Sequence, residues 1–198
     1  TRVTRDMFQI RVHGRGGQGV VTAAELLSVA GFLDGSEAQA FPSFGSERMG
    51  APVMAFCRLD EVPIRVREPV TDPDALIIAD ATLLHHVALF AGLAPHGYVL
   101  INSTRSWSEL GLDELHDMFS PDRMLTVPAS EIAREHVGQS RANTSLLGAF
   151  AALTGAVSIA SVEQALTQRF PGAVGDRNVL AARAAFDCVQ TREVVSGA

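Results

Sequence analysis

A glycine-rich turn is the first part of this sequence whose residue types and spacing could do chemistry. Residues 14–19 follow a Gly-x-Gly-x-x-Gly spacing. Glycine permits positive φ and lets backbone amides approach an anion, and a following helix N-terminus adds partial positive charge. The turn therefore predicts a phosphate site, with a tight turn that binds nothing as the alternative. Its candidate residues are Gly14, Arg15, Gly16, Gly17, Gln18 and Gly19.

A nicotinamide-nucleotide site would make a further demand on the second strand. An acidic residue should end that strand and bind the ribose hydroxyls. The predicted strand, residues 37–41, runs into Pro42 and Ser43, with neither a carboxylate nor an arginine at its end. An independent NAD(P) dehydrogenase is therefore only the third hypothesis for this chain.

The composition excludes several kinds of chemistry. All 16 basic residues are arginines, so Schiff-base, lysine general-base and Walker-type phosphate mechanisms lack their amine. Cys57 and Cys188 cannot hold an iron-sulfur cluster or a four-ligand zinc site by themselves, so no metal site is expected, and we predict both as reduced core residues. The net charge of -6 and the scattered arginines argue against nucleic-acid binding.

Alternating strand and helix patterns must position the turn. Strands are predicted at 8–13, 37–41, 53–59, 75–79, 98–102 and 124–127, with 62–66 as a further piece of sheet after a turn at 60–61. Helices are predicted from Val20 to Gly31 or Gly35, from Asp80 to about Gly92, at 109–118, from Ser130, and at 142–154, 161–169 and 176–192, with Ser161 and Asp176 as N-caps.

This pattern predicts one α/β domain over residues 1–198. We expect a three-layer sandwich with a Rossmann-like, mostly parallel but mixed sheet, helices on both faces and a helical C-terminal third. The longest apolar runs, 75–79 and 146–153, are too short to span a bilayer. No basic stretch followed by an apolar one opens the sequence, so we expect a soluble cytoplasmic protein without a membrane partner.

Two blocks carry a resemblance to a known family. Residues 14–23 read Gly-Arg-Gly-Gly-Gln-Gly-Val-Val-Thr-Ala, and residues 40–53 read Ala-Phe-Pro-Ser-Phe-Gly-Ser-Glu-Arg-Met-Gly-Ala-Pro-Val. At this spacing they resemble the γ subunit of pyruvate and related 2-oxoacid:ferredoxin oxidoreductases, over essentially the whole chain. Asn143 and Asn178 are consistent with it, whereas Met49 departs from it because the family often has a second arginine there.

The resemblance implies a subunit of an enzyme that converts a 2-oxoacid, pyruvate by default, and CoA to acyl-CoA and carbon dioxide. It implies α-, β- and δ-type partner subunits that carry thiamine diphosphate, Mg and [4Fe-4S] clusters, and ferredoxin or another acceptor for the electrons. This chain has neither a Gly-Asp-Gly…Asn motif nor clustered cysteines. It would contribute to CoA binding and assembly, have no catalytic residue, and be inactive alone.

The implied CoA contacts lie in the glycine turn and in the second block. The amides of Gly16, Gly17 and Gly19 would face a CoA phosphate, with Gln18 as a neutral donor and Arg15 as an ion-pair partner or a solvated arginine. The candidates outside the turn are Ser43, Ser46, Glu47, Arg48 and Asn143. The serines bind phosphate or close a turn, and Asn143 binds ligand or caps a strand exit. Of Glu47 and Arg48, one would face the ligand and the other a partner subunit, with an ordinary exposed charge as the alternative for Arg48.

Two other functions remain open. A small subunit of an indolepyruvate- or arylglyoxylate-type oxidoreductase is the alternative within the superfamily, and a stand-alone nucleotide- or CoA-binding module is the alternative from another class. Asp80, at a strand's carboxyl end, is either a ligand-site residue or a helix cap. A subunit should also expose an apolar patch, for which the candidates are Phe44, Met49, Val62, Ile64 and Trp107.

Overall fold

A six-stranded mixed sheet forms the centre of the computed structural model, which describes residues 7–43, 49–85 and 88–196. Its strands are β1 (Phe8–Arg15), β2 (Glu37–Pro42), β3 (Pro52–Asp60), β4 (Ala75–Ile78), β5 (Tyr98–Asn102) and β6 (Met124–Val127). Their order is β2-β3-β1-β4-β5-β6. Strand β3 is antiparallel to β1 and β2, while β1, β4, β5 and β6 pair in parallel. The predicted mixed, mostly parallel sheet is confirmed.

The helices confirm the predicted α/β class and the helical C-terminal region. They are α1 (Val20–Leu33), α2 (Asp113–Met118), α3 (Ala129–Val137), α4 (Asn143–Thr154), α5 (Ile159–Arg169) and α6 (Ala173–Ser196). Short 3₁₀ turns cover Ala81–His85 and Pro121–Arg123. No helix in the described part of the chain is long and apolar enough to cross a membrane.

Strand β4 shows how the sheet is covered on both faces. All four of its residues are buried, as its continuous apolar run predicts. Ile77 packs in the larger core with α1 and α4, whereas Leu76 and Ile78 pack in a second core with Leu83 from the 3₁₀ turn after β4. The long helices therefore cover one face, and the short helical segments after β4 and β5 cover the other.

The connections place a switch point between β1 and β4. From β1 the chain crosses through α1 to β2 on one side, whereas from β4 it proceeds to β5 and β6 on the other. The strand order therefore reverses between these two neighbours. In open α/β sheets the crevice outside the carboxyl ends of such strands is where ligands bind. The glycine turn follows β1, and Asp80 follows β4.

Two predicted elements on the second face are wrong. Residues 62–66 form no strand, because both edges of β3 are already paired, with β1 and β2. Side chains hold this segment instead, since Gln39 Nε2 donates to the Val66 carbonyl at 2.9 Å. The helix predicted from Asp80 to Gly92 is only the 3₁₀ turn Ala81–His85 in the described residues, and Arg11 Nη2 binds the Leu89 carbonyl at 2.7 Å.

The predicted helix starts also need correction. Helix α5 is capped by Ser158, whose Oγ accepts the Ser161 N–H at 3.1 Å, so Ser161 lies inside the helix. Helix α6 begins at Ala173, which puts Asp176 in the first turn and not at the cap. The helix predicted at 109–118 is reduced to α2, because turns precede it. Each error is a shift at a boundary, where several polar residues in one turn could serve as caps.

Candidate functional site

The glycine turn joins β1 to α1 through two residues with positive φ. Gly17 has φ 89°, and Gly19, which caps α1, has φ 76°. A Cβ on Gly17 would lie 2.5 Å from the Met49 sulfur, and one on Gly19 would overlap the Asn143 side chain. The backbone conformation therefore favours glycine at both positions, and the buried Asn143 side chain also leaves no space for a Cβ at Gly19.

The turn leaves backbone amides free at the start of α1. Within the described part of the chain, no acceptor is bound by the N–H groups of Gly17, Gly19, Val20, Val21 and Thr22. The Gly16 amide, by contrast, donates to the Ala51 carbonyl at 2.8 Å, and the Gln18 amide donates to Arg15 at 3.1 Å. The first amides of a helix lack intrahelical partners, so this cluster is suited to an anion.

Asp80 holds the turn from the end of β4. Its Oδ2 accepts Gln18 Nε2 at 2.8 Å and lies 3.3 Å from Arg15 Nε, while Oδ1 accepts the Thr82 N–H and hydroxyl at 2.9 and 2.6 Å. Gln18 Oε1 in turn accepts the Arg15 N–H at 2.7 Å. Burial alone would raise the pKa of Asp80, but the bonds from Thr82 and Gln18 and the Arg15 charge together lower it. Asp80 is thus an ionised anchor that both caps the 3₁₀ turn and fixes the glycine turn.

The end of the second sequence block joins the glycine turn directly. Gly50 N–H donates to the Gly16 carbonyl at 3.2 Å, and Arg15 Nη1 donates to the Gly50 carbonyl at 3.1 Å. The Ser43 amide pairs with Met54 at the start of this block. The predicted residues Ser46, Glu47 and Arg48 lie outside the described residues.

Asn143 reaches the same turn from the first residue of α4. It is buried, and its Nδ2 donates to the Gly19 carbonyl at 3.4 Å. Among the predicted residues, those of the turn and Asn143 are therefore brought together, although they lie more than a hundred positions apart in the sequence.

Two clefts flank the turn. A cleft of about 550 Å³ opens between the carboxyl ends of β4 and β5 and the beginnings of α3 and α4. A second cleft, of about 350 Å³, lies against the first turn of α1. Gly17 and Arg141 line both clefts, so the two are adjacent. We call them the β4–β5 cleft and the α1 cleft.

The walls of the β4–β5 cleft include four polar or charged residues that were not predicted as site residues: Asn102, Arg105, Ser130 and Arg141. Asn102 Nδ2 donates to the Ala79 carbonyl and to Ser130 Oγ, and Asn102 Oδ1 accepts the Ser130 N–H, which closes the floor of the cleft. The side chains of Arg105 and Arg141 are exposed and form no ion pair or hydrogen bond with any described residue. Asn102 ends a predicted strand and Arg105 comes just after it, so the carboxyl end of that strand could have indicated both residues. Arg141 lies in the loop between α3 and α4, where the sequence has no such signal.

Other predicted residues have structural surroundings. Both cysteines are free; Cys57 is buried as predicted, whereas Cys188 is only partly buried at the edge of the larger core. Burial raises the pKa of the Cys57 thiol to about 12, so it is an inert core residue. Trp107 was predicted for an exposed interface patch, with the edge of a core as the alternative; it is 8% exposed and packs in the second core. The described residues contain no group of three or more side chains that could hold a metal.

A switch-point cleft beside helix amides and cationic side chains is the geometry of an anion-binding site in an open α/β sheet, which defines the class of this fold. The family model for pyruvate ferredoxin/flavodoxin oxidoreductase matches residues 9–188. The common γ subunit of the pyruvate/ketoisovalerate oxidoreductases of Pyrococcus abyssi is 46% identical over 95% of this chain and 100% of its own length. The chain therefore belongs to the pyruvate ferredoxin/flavodoxin oxidoreductase family, as a γ-type subunit of an oxidoreductase.

Solved structures agree with this assignment. The crystal structure of pyruvate oxidoreductase subunit PORC from Thermotoga maritima is similar with a TM-score of 0.77 and 32% identity, over 92% of this chain and 97% of that one. The 2-oxoglutarate:ferredoxin oxidoreductase from Magnetococcus marinus, solved with 2-oxoglutarate, coenzyme A and succinyl-CoA bound, matches 94% of this chain and 31% of that one. Its TM-score is 0.65 at 19% identity, which shows a shared fold.

Proposed function

We propose that this chain is the γ subunit of a multi-subunit pyruvate:ferredoxin oxidoreductase, which oxidatively decarboxylates its 2-oxoacid in the presence of CoA to acyl-CoA and carbon dioxide. The chain binds part of CoA and helps to assemble the complex. The observation that carries the CoA role is the cluster of amides at the start of α1 that bind no acceptor among the described residues. This cluster borders two clefts, and Arg141 lines both of them.

The residues present fit the phosphates of CoA. The amides of Gly17, Gly19 and the first turn of α1 are neutral donors preorganised by the fold, so they need no side-chain ordering to bind an anion. The Asp80 network keeps the turn in this conformation, because it fixes both Gln18 and Arg15. Gln18 therefore acts on the ligand chiefly through the turn that it holds. A protein of the same fold has been solved with CoA bound, which supports the assignment.

Pyruvate is the substrate proposed for the complex. The two proteins named above that are more than 30% identical act, by their names, on pyruvate or on pyruvate and ketoisovalerate, so a branched-chain 2-oxoacid is the second candidate. The choice between them would rest on the subunits that hold thiamine diphosphate, which supplies the carbanion-stabilising chemistry when bound.

The remaining cofactors are assigned to partner subunits of the α, β and δ types. The two cysteines of this chain fall short of the four thiolates that an iron-sulfur cluster takes. We propose that residues 1–198 act as one γ-type domain in this complex, that ferredoxin or another carrier accepts the electrons, and that the complex is cytoplasmic.

The test is purification of the tagged chain from its native host, with mass spectrometry and assays for thiamine diphosphate, iron and CoA-dependent oxidation of pyruvate. We expect partner subunits with both cofactors to co-purify and the oxidation to require CoA. Recovery of a lone chain without thiamine or iron would contradict the proposal and would favour a stand-alone nucleotide-binding module.

A further inference from the structure

The β4–β5 cleft has a cationic wall that the phosphate-binding amides of α1 do not explain. Arg105 follows β5 and Arg141 precedes α4, and both line this cleft. Neither guanidinium is within 4 Å of a carboxylate of the described residues. An arginine fork left without an acceptor is suited to a planar or tetrahedral anion such as a phosphate.

The polarity of this cleft selects among the parts of a CoA molecule. Asn102, Ser130, Arg105 and Arg141 give it polar and cationic walls, while its apolar contacts are short alanine side chains. A phosphate-bearing nucleotide would form charge-assisted hydrogen bonds with both arginines, which are stronger than those that the neutral carbonyls of a pantetheine arm could accept. This argument rests on the proposed function, because it takes CoA as the ligand.

The two clefts are adjacent, so two anionic groups bound in them would be neighbours. Gly17 and Arg141 line both, so an anion in the β4–β5 cleft lies next to one bound by the first amides of α1. In CoA, a single ribose carries the diphosphate at its 5′ carbon and a separate phosphate at its 3′ carbon. One ligand can therefore place one anionic group in each cleft.

Two carboxylates near this site must be accounted for. Asp80 lines the β4–β5 cleft, but both of its oxygens accept hydrogen bonds from Gln18 or Thr82, and Arg15 offsets its charge. Glu109 binds the amide and hydroxyl of Ser106, and Arg105 contributes to the lowered pKa of its carboxyl. Asp80 is thus engaged by other donors, whereas Glu109 offsets part of the Arg105 charge from beyond ion-pair distance. The guanidinium groups of Arg105 and Arg141 still have no side-chain acceptor among the described residues.

We infer that Arg105 and Arg141 bind the 3′-phosphate of CoA and make this subunit the part of the complex that distinguishes CoA from dephospho-CoA. The 5′-diphosphate occupies the α1 cleft, and the 3′-phosphate lies in the β4–β5 cleft.

The experiment is isothermal titration calorimetry of the purified complex with CoA and with dephospho-CoA, for the wild type, Arg105→Gln, Arg141→Gln and the double variant. Arg134→Gln is the matched control, because Arg134 is an exposed arginine of α3 that lines neither cleft. We expect the wild type to bind CoA at least about tenfold more tightly than dephospho-CoA, as for one charge-assisted contact. Each single variant should reduce this ratio severalfold and the double variant should bring it close to one, with dephospho-CoA affinity unchanged.

Equal affinity of the wild type for CoA and dephospho-CoA would overturn the inference. So would arginine variants that lower the affinity for both ligands equally, or an Arg134→Gln control that lowers the affinity ratio as much as they do. The proposed function fails in a different way. If Gly19→Ala, which disturbs the α1 amides, leaves CoA affinity unchanged, this chain does not bind the CoA diphosphate. If Gly19→Ala weakens both ligands while the arginine variants leave their ratio intact, only the 3′-phosphate assignment is wrong.

Discussion

Gly19 occupies a position where two independent constraints exclude a side chain. Its φ of 76° lies in the left-handed region, and an added Cβ would overlap Asn143, which itself binds the Gly19 carbonyl. The residue thus couples the start of α1 to the start of α4.

The substitution Gly19→Ala should reduce both stability and CoA binding. Left-handed backbone costs a non-glycine residue about 1–2 kcal/mol, and displacement of Asn143 adds an overpacking cost of about 1–3 kcal/mol. We expect an unfolding free energy lowered by about 3 kcal/mol in urea denaturation, and a CoA affinity reduced at least about tenfold because the α1 amides shift.

Gly111→Ala is the matched control for this prediction. Gly111 has φ 72° and open space where its Cβ would stand, so it isolates the backbone cost, about 1–2 kcal/mol. Equal destabilisation by the two substitutions would show that contact with Asn143 does not matter.

His13 is a buried base whose protonation the fold resists. It lies on β1, is 6% exposed, and its Nε2 binds no hydrogen-bond partner among the residues that the structure describes. Burial, with a smaller effect of the Arg11 charge, lowers the pKa of His13 from 6.5 to about 4. In the unfolded chain the His13 side chain therefore binds a proton below about pH 6.5, whereas in the folded chain it does so only below about pH 4.

Stability should consequently fall as the pH drops from 6.5 to 4, and this histidine contributes about 3 kcal/mol to the loss. We expect His13→Gln to remove that part of the pH dependence in urea denaturation series at several pH values. His96→Gln is the control, since that side chain is exposed. If His13→Gln left the dependence of the unfolding free energy on pH unchanged, His13 would be protonated in the folded protein over this range.

At the scale of single residues, the sequence predicts those site residues that a local pattern specifies. The glycine turn is predicted because a Gly-x-Gly-x-x-Gly spacing between a strand and a helix lets backbone amides approach a phosphate. Asn143 is predicted only through the family resemblance. Arg141 has no local signal, because its place at both clefts depends on how α3 and α4 pack. Trp107 was wrongly predicted at a surface because a single indole says nothing of its tertiary neighbours.

Helices α4 and α6 pack closely against each other at Gly148. A Cβ there would overlap the backbone carbonyl of Ala182 on α6, and Gly148 is buried between the two helices. A backbone atom cannot rotate away as a side chain can, so the helices would have to separate.

Gly148→Ala should therefore be strongly destabilising, by about 3 kcal/mol, within the range for overpacked cores. Gly31→Ala is the control at a second buried helical glycine, where the Cβ would meet only the flexible end of Leu59. There the gain in helix propensity, about 1 kcal/mol, offsets the repacking, and we expect a change within about 1 kcal/mol. Thermal unfolding measures both, and similar shifts for the two variants would contradict the prediction.

All six strands were predicted to within a few residues, because alternating or continuous apolar runs specify them locally. Residues 62–66 show the same apolar residues but form no strand, since pairing needs a free edge and β3 offers none. Likewise the chain after β4 was predicted as a long helix, but the Arg11 guanidinium holds its later carbonyls. These failures arise from partners distant in sequence.

The molecule as a whole leaves apolar side chains exposed near the glycine turn and on the segment after β3. Met49 is 87% exposed and Val62 is 57% exposed. Of the other residues predicted for an interface patch, Ile64 is half-buried and Phe44 lies outside the described residues. The two exposed side chains remain candidates for contact with partner subunits.

Substitution of these two residues by a charge should impair assembly without affecting the fold. We expect Met49→Glu and Val62→Glu to change the unfolding free energy by no more than about 0.5 kcal/mol, while pull-down of partner subunits from the host falls severalfold. Leu180→Glu is the control, because Leu180 is 55% exposed on α6. Undiminished recovery with both variants would exclude these residues from the interface.

The antiparallel strand β3 limits the kinds of nucleotide that this scaffold can bind. In dinucleotide-binding domains the strand that follows the first helix lies directly beside the first strand, so a carboxylate at its end reaches the ribose of a phosphate-bound ligand. Here β3 separates β2 from β1, which displaces the end of β2 by one further strand spacing, about 4.8 Å. A carboxylate engineered at Pro42 would therefore sit too far away to recognise a ribose diol. Conversion of this scaffold to a nicotinamide-dependent protein would require the loss of a whole strand, and not just the gain of one acidic residue.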